Sequence, residues 1–187
     1  MKLQLRKICI LFWDIVDPIY YRFTRLQHIE SSEGEKTVIR ARLTRYKGKS
    51  VQLSDGTMIK KNDVLLKIHL HNVMLLRKME GYGEVRKAIF IYKSVQESLP
   101  FIAKYLQSQG YDEKVKGLIG ITLLHRGCRK LGFDTRPISN PYYKYFKKAA
   151  LAPIHFLSSA RSIQKNESFP MYLFMSKDHL FRKYSNG

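Results

Sequence analysis

The feature that most constrains the fold is a two-residue alternation of side chains between residues 37 and 71. Its first run alternates Ile39, Ala41 and Leu43 with Arg40, Arg42 and Thr44, and its second alternates Val64, Leu66, Ile68 and Leu70 with Leu65, Lys67, His69 and His71. Successive side chains of a strand point to opposite faces, so both runs predict strands. Asp55 and Gly56 between them are typical of a hairpin turn, because a type I′ turn needs positive φ at both central residues. We therefore predict an antiparallel meander of three or four strands.

Helices and further strands follow the meander. Apolar residues keep helical spacing over residues 85–95, and Pro100 then either begins a second helix or kinks one long helix. Residues 115–124 predict a buried strand and residues 133–138 a short one. The sequence thus predicts the α+β class: a single domain with a small antiparallel β-meander, additional short strands and packed helices.

The chain divides into three predicted parts, separated after the first by a polar loop over residues 29–36. Residues 1–28 form an N-terminal amphipathic helix packed on the domain, residues 37–157 form the α+β core, and residues 158–187 form a basic, partly ordered C-terminal tail. The apolar run at residues 8–13 is too short for a signal peptide, and no run is long enough for a transmembrane segment. Two cysteines exclude a disulfide scaffold and suit a cytoplasmic protein.

A net charge of +19 favours polyanionic partners, which here are an anionic lipid, an envelope polymer precursor or nucleic acid. Ser139 and Asn140 before Pro141 predict a helix start. In that helix the candidate residues for binding an anionic surface are Tyr142, Tyr143, Lys144, Lys147 and Lys148. Rings and lysines combine in this way at membrane interfaces and on single-stranded nucleic acids. A core-facing aromatic stripe with solvated lysines is the structural alternative.

Histidines are the main candidate residues for ligand binding and for acid–base catalysis. His69 and His71 share one face of a predicted strand, and His125 and Arg126 follow a buried strand, where ligands collect in open sheets. These four residues, together with Asn72, Arg42 and Arg45, are the predicted ligand-binding residues. His71 and His125 are the candidate catalytic residues, because the ordinary pKa of histidine lies near neutrality. The ligand sets are incomplete, so we predict neither a metal nor a cofactor.

Three segments carry a family resemblance: "ARLTRYKGKSVQLSDGTMIKKNDVLLKIHLHN" at residues 41–72, "KGLIGITLLHRGCRKLGFDTRPIS" at residues 116–139 and "WDIVDPIYY" at residues 13–21. They resemble the YkoP-like family of Gram-positive bacteria, whose stand-alone members are largely uncharacterised. That family is similar to a domain attached to polysaccharide deacetylases, which implies by analogy a role near cell-envelope metabolism. The Asp and His metal motifs of the deacetylase are absent here, so the resemblance does not imply deacetylation.

The positions that match the family pattern are Asp55, Gly56, Thr57, Asp63, His69, His71, Asn72, Thr122, Gly127, Gly132 and Phe133. The resulting hypothesis is a non-catalytic binding or accessory domain linked to cell-envelope metabolism. It would lie at the cytoplasmic face of the membrane through its basic-aromatic surface. Two alternatives stay open: a small enzyme with a histidine acid or base acting on a phosphorylated or glycosyl substrate, and a nucleic-acid-binding protein.

Overall fold

The computed structural model describes residues 22, 25–123, 127–148 and 169–185, and within these it contains eight strands in two sheets. The strands are β1 (Gln27–Glu30), β2 (Lys36–Arg45), β3 (Val51–Gln52), β4 (Met58–Ile59), β5 (Val64–Leu70), β6 (Gly117–Thr122), β7 (Asp134–Pro137) and β8 (Met171–Ser176). The helices are α1 (Asn72–Lys78), α2 (Glu84–Ser108), α3 (141–148) and α4 (Lys177–Tyr184).

Six strands form the large sheet in the order β1-β2-β5-β6-β8-β7, and β3 and β4 form a separate hairpin. Neighbouring strands of the large sheet are antiparallel except β5 and β6, which are parallel. Parallel strands need a long crossover, and α1 and α2 supply it here. The long β2–β5 pair therefore sets which side chains share a face.

Helices α1, α2 and α4 cover one face of the large sheet. The core between them is apolar and includes Ile39, Ala41, Leu66, Leu118 and Met175 from the strands and Leu75, Leu99, Ile102, Leu106 and Leu180 from the helices. Pro100 lies inside α2 without ending it, so one long helix is formed. Each fully buried aliphatic side chain contributes roughly 1.5–3 kcal/mol, and this face is therefore the main source of stability.

The β3–β4 hairpin covers part of the opposite face. Beneath it lies a smaller apolar cluster made of Tyr46, Leu53, Ile59, Leu65, Ile119 and Phe174. At the hairpin turn, Gly56 adopts a φ of +86°, which favours glycine, and the Asp55 carboxylate accepts a hydrogen bond from the Ser176 hydroxyl. Nearby, the Asp134 carboxylate accepts one from the Ser54 N–H at 2.8 Å. These polar contacts fasten the hairpin to the sheet.

The predicted α+β class is confirmed, with one difference in how the early strands pair. The strands of the alternating segment are present, but β3 and β4 leave the large sheet and β2 pairs directly with β5. The physical reason is burial, because Leu53 and Ile59 reach the apolar cluster only when the hairpin folds over the sheet face.

Within the predicted partly ordered C-terminal tail, residues 171–184 form a strand and a helix that lie inside the fold. Strand β8 pairs with β6 on one side and β7 on the other. Leu173, Phe174 and Met175 are all buried, with side chains on alternating faces, which explains why this strand lies within the sheet. The Ser176 hydroxyl then accepts the His179 N–H at 3.0 Å and caps α4.

The N-terminal boundary also differs from the prediction, because β1 occupies the end of the predicted helix and the start of the predicted loop. Ile29 is fully buried there. Of the predicted N-terminal helix over residues 1–28, residues 1–21, 23 and 24 lie outside the described residues. Within the described ranges, no helix combines the length and apolar character needed to cross a membrane.

Candidate functional site: a cationic sheet face and an aromatic helix

Cationic and imidazole side chains occupy the same sheet face as Leu65, toward the other end of β2 and β5. Arg40 lies opposite His28 of β1 and opposite His69 of β5, and Arg42 lies opposite Lys67. Directly opposite residues of an antiparallel pair project from the same face. Together with His71, which follows β5, they form what we call the sheet site: His28, Arg40, Arg42, Lys67, His69 and His71.

Three contacts with described residues help to hold His71 in place. Its backbone N–H donates a hydrogen bond to the Val38 carbonyl at 2.8 Å. Its ring packs edge-to-face against the His28 ring, with the two ring centres 5.5 Å apart. Its Nε2 lies 2.7 Å from Nη2 of Arg40. Arg40 is only 6% exposed, and a guanidinium can only donate. Nε2 of His71 is therefore the acceptor, and in this arrangement it cannot deliver a proton.

Burial and neighbouring cations lower the pKa of the lysine and of one histidine of the sheet site. Burial, followed by the charges of Lys147 and Arg42, lowers the pKa of Lys67 to about 8. Burial, followed by cations that begin with Lys67 and Arg42, lowers the pKa of His69 to about 3. His69 is thus neutral at pH 7, whereas Lys67 is mostly charged. The sheet site is an electropositive surface that favours an anion.

Helix α3 brings a further cation to this face. Its first turn follows the predicted start, since the Asn140 side chain accepts the Tyr143 N–H at 3.0 Å. Lys147 is half-buried, and burial followed by the charge of Arg42 lowers its pKa. On the same side of the helix, Tyr143 approaches Tyr172, whose pKa burial and then Tyr143 raise to about 12. One side of α3 therefore faces β5 and β8.

The other side of α3 exposes aromatic rings. Tyr142 is 87% exposed, Tyr145 61% and Phe146 64%; we call these three residues the aromatic face. Lys144 and Lys148 are half-buried instead, with their ammonium groups 3.6 Å and 4.6 Å from the centre of the Phe169 ring. The three rings face solvent and the two lysines are packed. The structural alternative predicted the opposite, with the rings facing the core and the lysines in solvent.

The predicted site residues divide into three groups. The structure brings together His69, His71, Arg42 and Lys147 at the sheet site, and it places half-buried Asn72 beside them at the start of α1. Arg45 is exposed, and the alternation along β2 places it on the helix-covered side. His125 and Arg126 lie outside the described residues.

Sequence reasoning did not include His28, Arg40 and Lys67 among the site residues. The alternation that placed His69 and His71 on one face places Lys67 there too, so that signal was available in the sequence. His28 and Arg40 join the site through the β1–β2 and β2–β5 registers, which the sequence does not specify. Among the described residues, no group of three or more His, Cys, Asp or Glu side chains is arranged to hold a metal ion.

A family model and a related protein sequence both match this chain over most of its length. A model described as the YkoP domain matches residues 6–184. A protein of Bacillus subtilis (strain 168) named "Uncharacterized protein YkoP" is 46% identical over 180 residues, which are 95% of this chain and 97% of that protein. No solved structure is significantly similar to the chain. The matched span includes both the sheet site and the aromatic face.

Proposed function

Since this chain belongs to the YkoP domain family, we propose that it is a non-catalytic binding domain that associates with the cytoplasmic surface of the membrane through α3. The partner is an anionic lipid surface, and the link to cell-envelope metabolism comes from the resemblance to a deacetylase-attached domain. The enzyme and nucleic-acid alternatives remain predictions.

The observation that carries the proposal is the aromatic face of α3. Tyr142, Tyr145 and Phe146 expose large rings at helical spacing on α3. Amphipathic tyrosine rings suit the headgroup level of a membrane, and an apolar phenylalanine ring suits the boundary between headgroups and acyl chains. An anionic partner is favoured because Lys144 and Lys148 flank the rings and because the chain carries a net charge of +19.

Liposome flotation of the full chain tests this proposal. We expect the protein to float with vesicles that contain phosphatidylglycerol and to float weakly with phosphatidylcholine alone. The variant Tyr142→Ser/Tyr145→Ser/Phe146→Ser should lose most of the bound fraction. A matched control is Val85→Ser/Ile89→Ser, which removes side chains that are 75% and 51% exposed on another helix, α2. Equal losses in both variants would contradict a specific role for α3.

Salt separates the contributions of charge and of ring insertion. Raising the salt concentration should reduce binding only in part, because charge–lipid attraction is screened whereas ring burial is not. The variant Lys144→Gln/Lys148→Gln should bind less at low salt and show a weaker salt dependence. Absence of flotation at low salt would overturn the proposal. Binding to single-stranded DNA that falls steeply with salt would instead favour the nucleic-acid alternative.

A further inference from the structure

We propose that two basic turns at one end of the large sheet bind the phosphate backbone of a double-stranded nucleic acid. The turns join β2 to β3 and β4 to β5. The exposed cations on and beside them form what we call the basic platform: Arg45, Lys47, Lys49, Lys60 and Lys61. This proposal goes beyond membrane association, because the basic platform lies at the end of the sheet opposite to α3.

The strand registers place the basic platform and α3 at opposite ends of the sheet. Strand β5 begins beside the platform, and its Leu65 pairs with Gly117, the first residue of β6. The last residue of β6, Thr122, pairs with the start of β8. Just before β8, the Phe169 ring centre lies 3.6 Å from the Lys144 ammonium of α3. The length of β6 separates the two ends by about 17–20 Å, so both surfaces can be occupied at once.

Tyr46 holds the two turns of the basic platform together. Its side chain is 6% exposed, and its hydroxyl donates a hydrogen bond to the Lys49 carbonyl at 2.9 Å. Its backbone N–H donates to the Asp63 carbonyl at 2.8 Å, and its own carbonyl accepts the Asn62 N–H at 2.7 Å. A Cβ atom at Gly48 would overlap the Tyr46 hydroxyl, so the first turn closes tightly over this ring. The turns are therefore preorganised, which lowers the entropy cost of binding.

The positive charge of the basic platform is accessible. All five of its cations are exposed, and the only acid in the sequence of the two turns is Asp63. The Asp63 carboxylate is already engaged, because the Lys116 ammonium lies 3.1 Å away and the Lys60 N–H donates to it at 2.7 Å. Among the described residues, the other four platform cations form no ion pair with an acid. Gathered cations with one engaged acid favour a polyanion as partner.

The composition of the basic platform favours a nucleic acid over an acidic protein. Protein–protein interfaces are depleted of charged residues at their centre and enriched in aromatic residues. Protein–nucleic acid interfaces are more polar and much more positive. In the part of the chain that the structure describes, none of the exposed large apolar side chains lies in either turn. The platform is instead built mainly of lysines, which bind phosphate as compact charges.

The same composition favours a duplex over a single strand. Single strands are held largely by bases that stack on aromatic rings, and the aromatic ring of the first turn, Tyr46, is buried. A duplex keeps its bases stacked and presents closely spaced phosphates. Base edges are read by a helix or a β-ribbon that enters a groove. We therefore expect two short turns to contact phosphates alone and to bind without sequence preference.

Fluorescence anisotropy of a short labelled DNA duplex of mixed sequence, titrated with the full chain at several salt concentrations, tests the basic platform. The logarithm of the affinity should fall linearly with the logarithm of the salt concentration. The platform variant Lys47→Gln/Lys49→Gln/Lys60→Gln/Lys61→Gln should bind at least about tenfold more weakly at low salt and reduce the slope by about 2–4. Arginine at the same four positions should keep both the affinity and the slope, because it keeps the charge.

A matched control removes the same charge from exposed lysines elsewhere: Lys36→Gln/Lys78→Gln/Lys93→Gln/Lys104→Gln. Both quadruple variants lower the net charge equally, so any general effect of charge appears in both. The control should keep the slope of the unchanged protein, and circular dichroism checks that each variant is folded. An RNA duplex of the same sequence distinguishes the two sources of the backbone, because a preference for one duplex identifies the partner and equal affinity indicates recognition of phosphate alone.

Three results would overturn the proposal. They are no binding of the duplex by the unchanged protein at low salt, an unchanged slope in the folded platform variant, and an equal loss in the control. Tighter binding of a single strand of the same length would contradict recognition of a duplex. The platform variant should still float with phosphatidylglycerol vesicles, and loss of flotation would make the platform a lipid-binding surface instead. The aromatic-face variant should still bind the duplex, so failure of membrane association and failure of the platform are distinguishable.

Discussion

Two neighbouring leucines show how differently the two faces of the large sheet are built. Leu65 and Leu66 are adjacent in β5, and both are fully buried. Leu66 points into the broad apolar core under α1, α2 and α4, whereas Leu65 points into the small cluster beneath the hairpin. Further along the same strand, the face of Leu66 stays apolar with Ile68, while the face of Leu65 continues with Lys67 and His69.

The difference assigns separate roles to the two faces. The helix-covered face buries aliphatic side chains from most elements and supplies most of the stability. The hairpin-covered face buries fewer apolar groups and gathers cations that oppose folding when they are desolvated.

The largest effect is expected from truncating Leu66. Leu66→Ala should lower the free energy of unfolding by roughly 3–5 kcal/mol. The substitution opens a cavity, and the helices on one side and the strands on the other keep it from closing. Leu65→Ala should cost less, about 2–3 kcal/mol, because the short hairpin above it can settle into the space. Urea denaturation followed by circular dichroism measures both values. A larger loss for Leu65→Ala would reverse the ranking of the two faces.

Acid should destabilise the cationic face through His69. Its pKa is about 3 in the folded protein against an ordinary value of 6.5. Between these values the unfolded chain binds the proton and the folded protein does not, so stability is lost as pH falls, by about 1.4 kcal/mol per pH unit. From pH 7 to pH 4.5 the loss from this residue should be about 2–3 kcal/mol. After burial, the cations that lower the pKa of His69 are Lys67, Arg42, Lys147 and Arg40.

The matched variant for this prediction is His69→Gln, which keeps a polar side chain but does not titrate. Its stability, measured by urea denaturation, should fall less steeply than that of the unchanged protein between pH 7 and pH 4.5. Parallel curves for the two proteins would mean that His69 is protonated in the fold and that the sheet site is more open to water than its burial indicates.

Prediction from the sequence succeeded best where a structural feature depends on neighbouring residues alone. The alternation in β5 assigned Leu66 and Leu65 to opposite faces, and Asn140 before Pro141 located the start of α3, because both signals depend on neighbouring residues alone. The position of β8 between β6 and β7 depends on pairing across a long stretch of chain, and no local pattern encodes it. The outward orientation of the aromatic face was equally hidden, since spacing groups Tyr142, Tyr145 and Phe146 together but does not say whether they face core or solvent.

A smaller effect is expected from loosening the hairpin. Asp55 accepts hydrogen bonds from the Ser176 hydroxyl and from the Thr57 N–H. Burial raises its pKa, but these bonds and the charge of His179 outweigh that and leave the pKa below its ordinary value. Asp55→Ala should cost about 1 kcal/mol and speed hydrogen exchange at the Leu53 and Gly56 amides. The control Glu113→Ala removes an exposed carboxylate elsewhere. Unchanged exchange in Asp55→Ala would mean that apolar packing alone holds the hairpin.

The smallest expected effect on stability is a gain rather than a loss. It tests whether the cations on the hairpin-covered face oppose folding. Lys67→Met should raise stability at pH 7, by less than about 1 kcal/mol, since solvent screening weakens the repulsion of a half-buried charge. The gain should shrink between pH 8 and 10.5, because there the folded protein releases the Lys67 proton before the unfolded chain does. Urea denaturation at pH 7 and pH 9.5 measures it, with Lys104→Met as the charge control. If Lys67→Met is less stable than the unchanged protein at pH 7, the ammonium contributes net favourable contacts and the face is not strained by its cations.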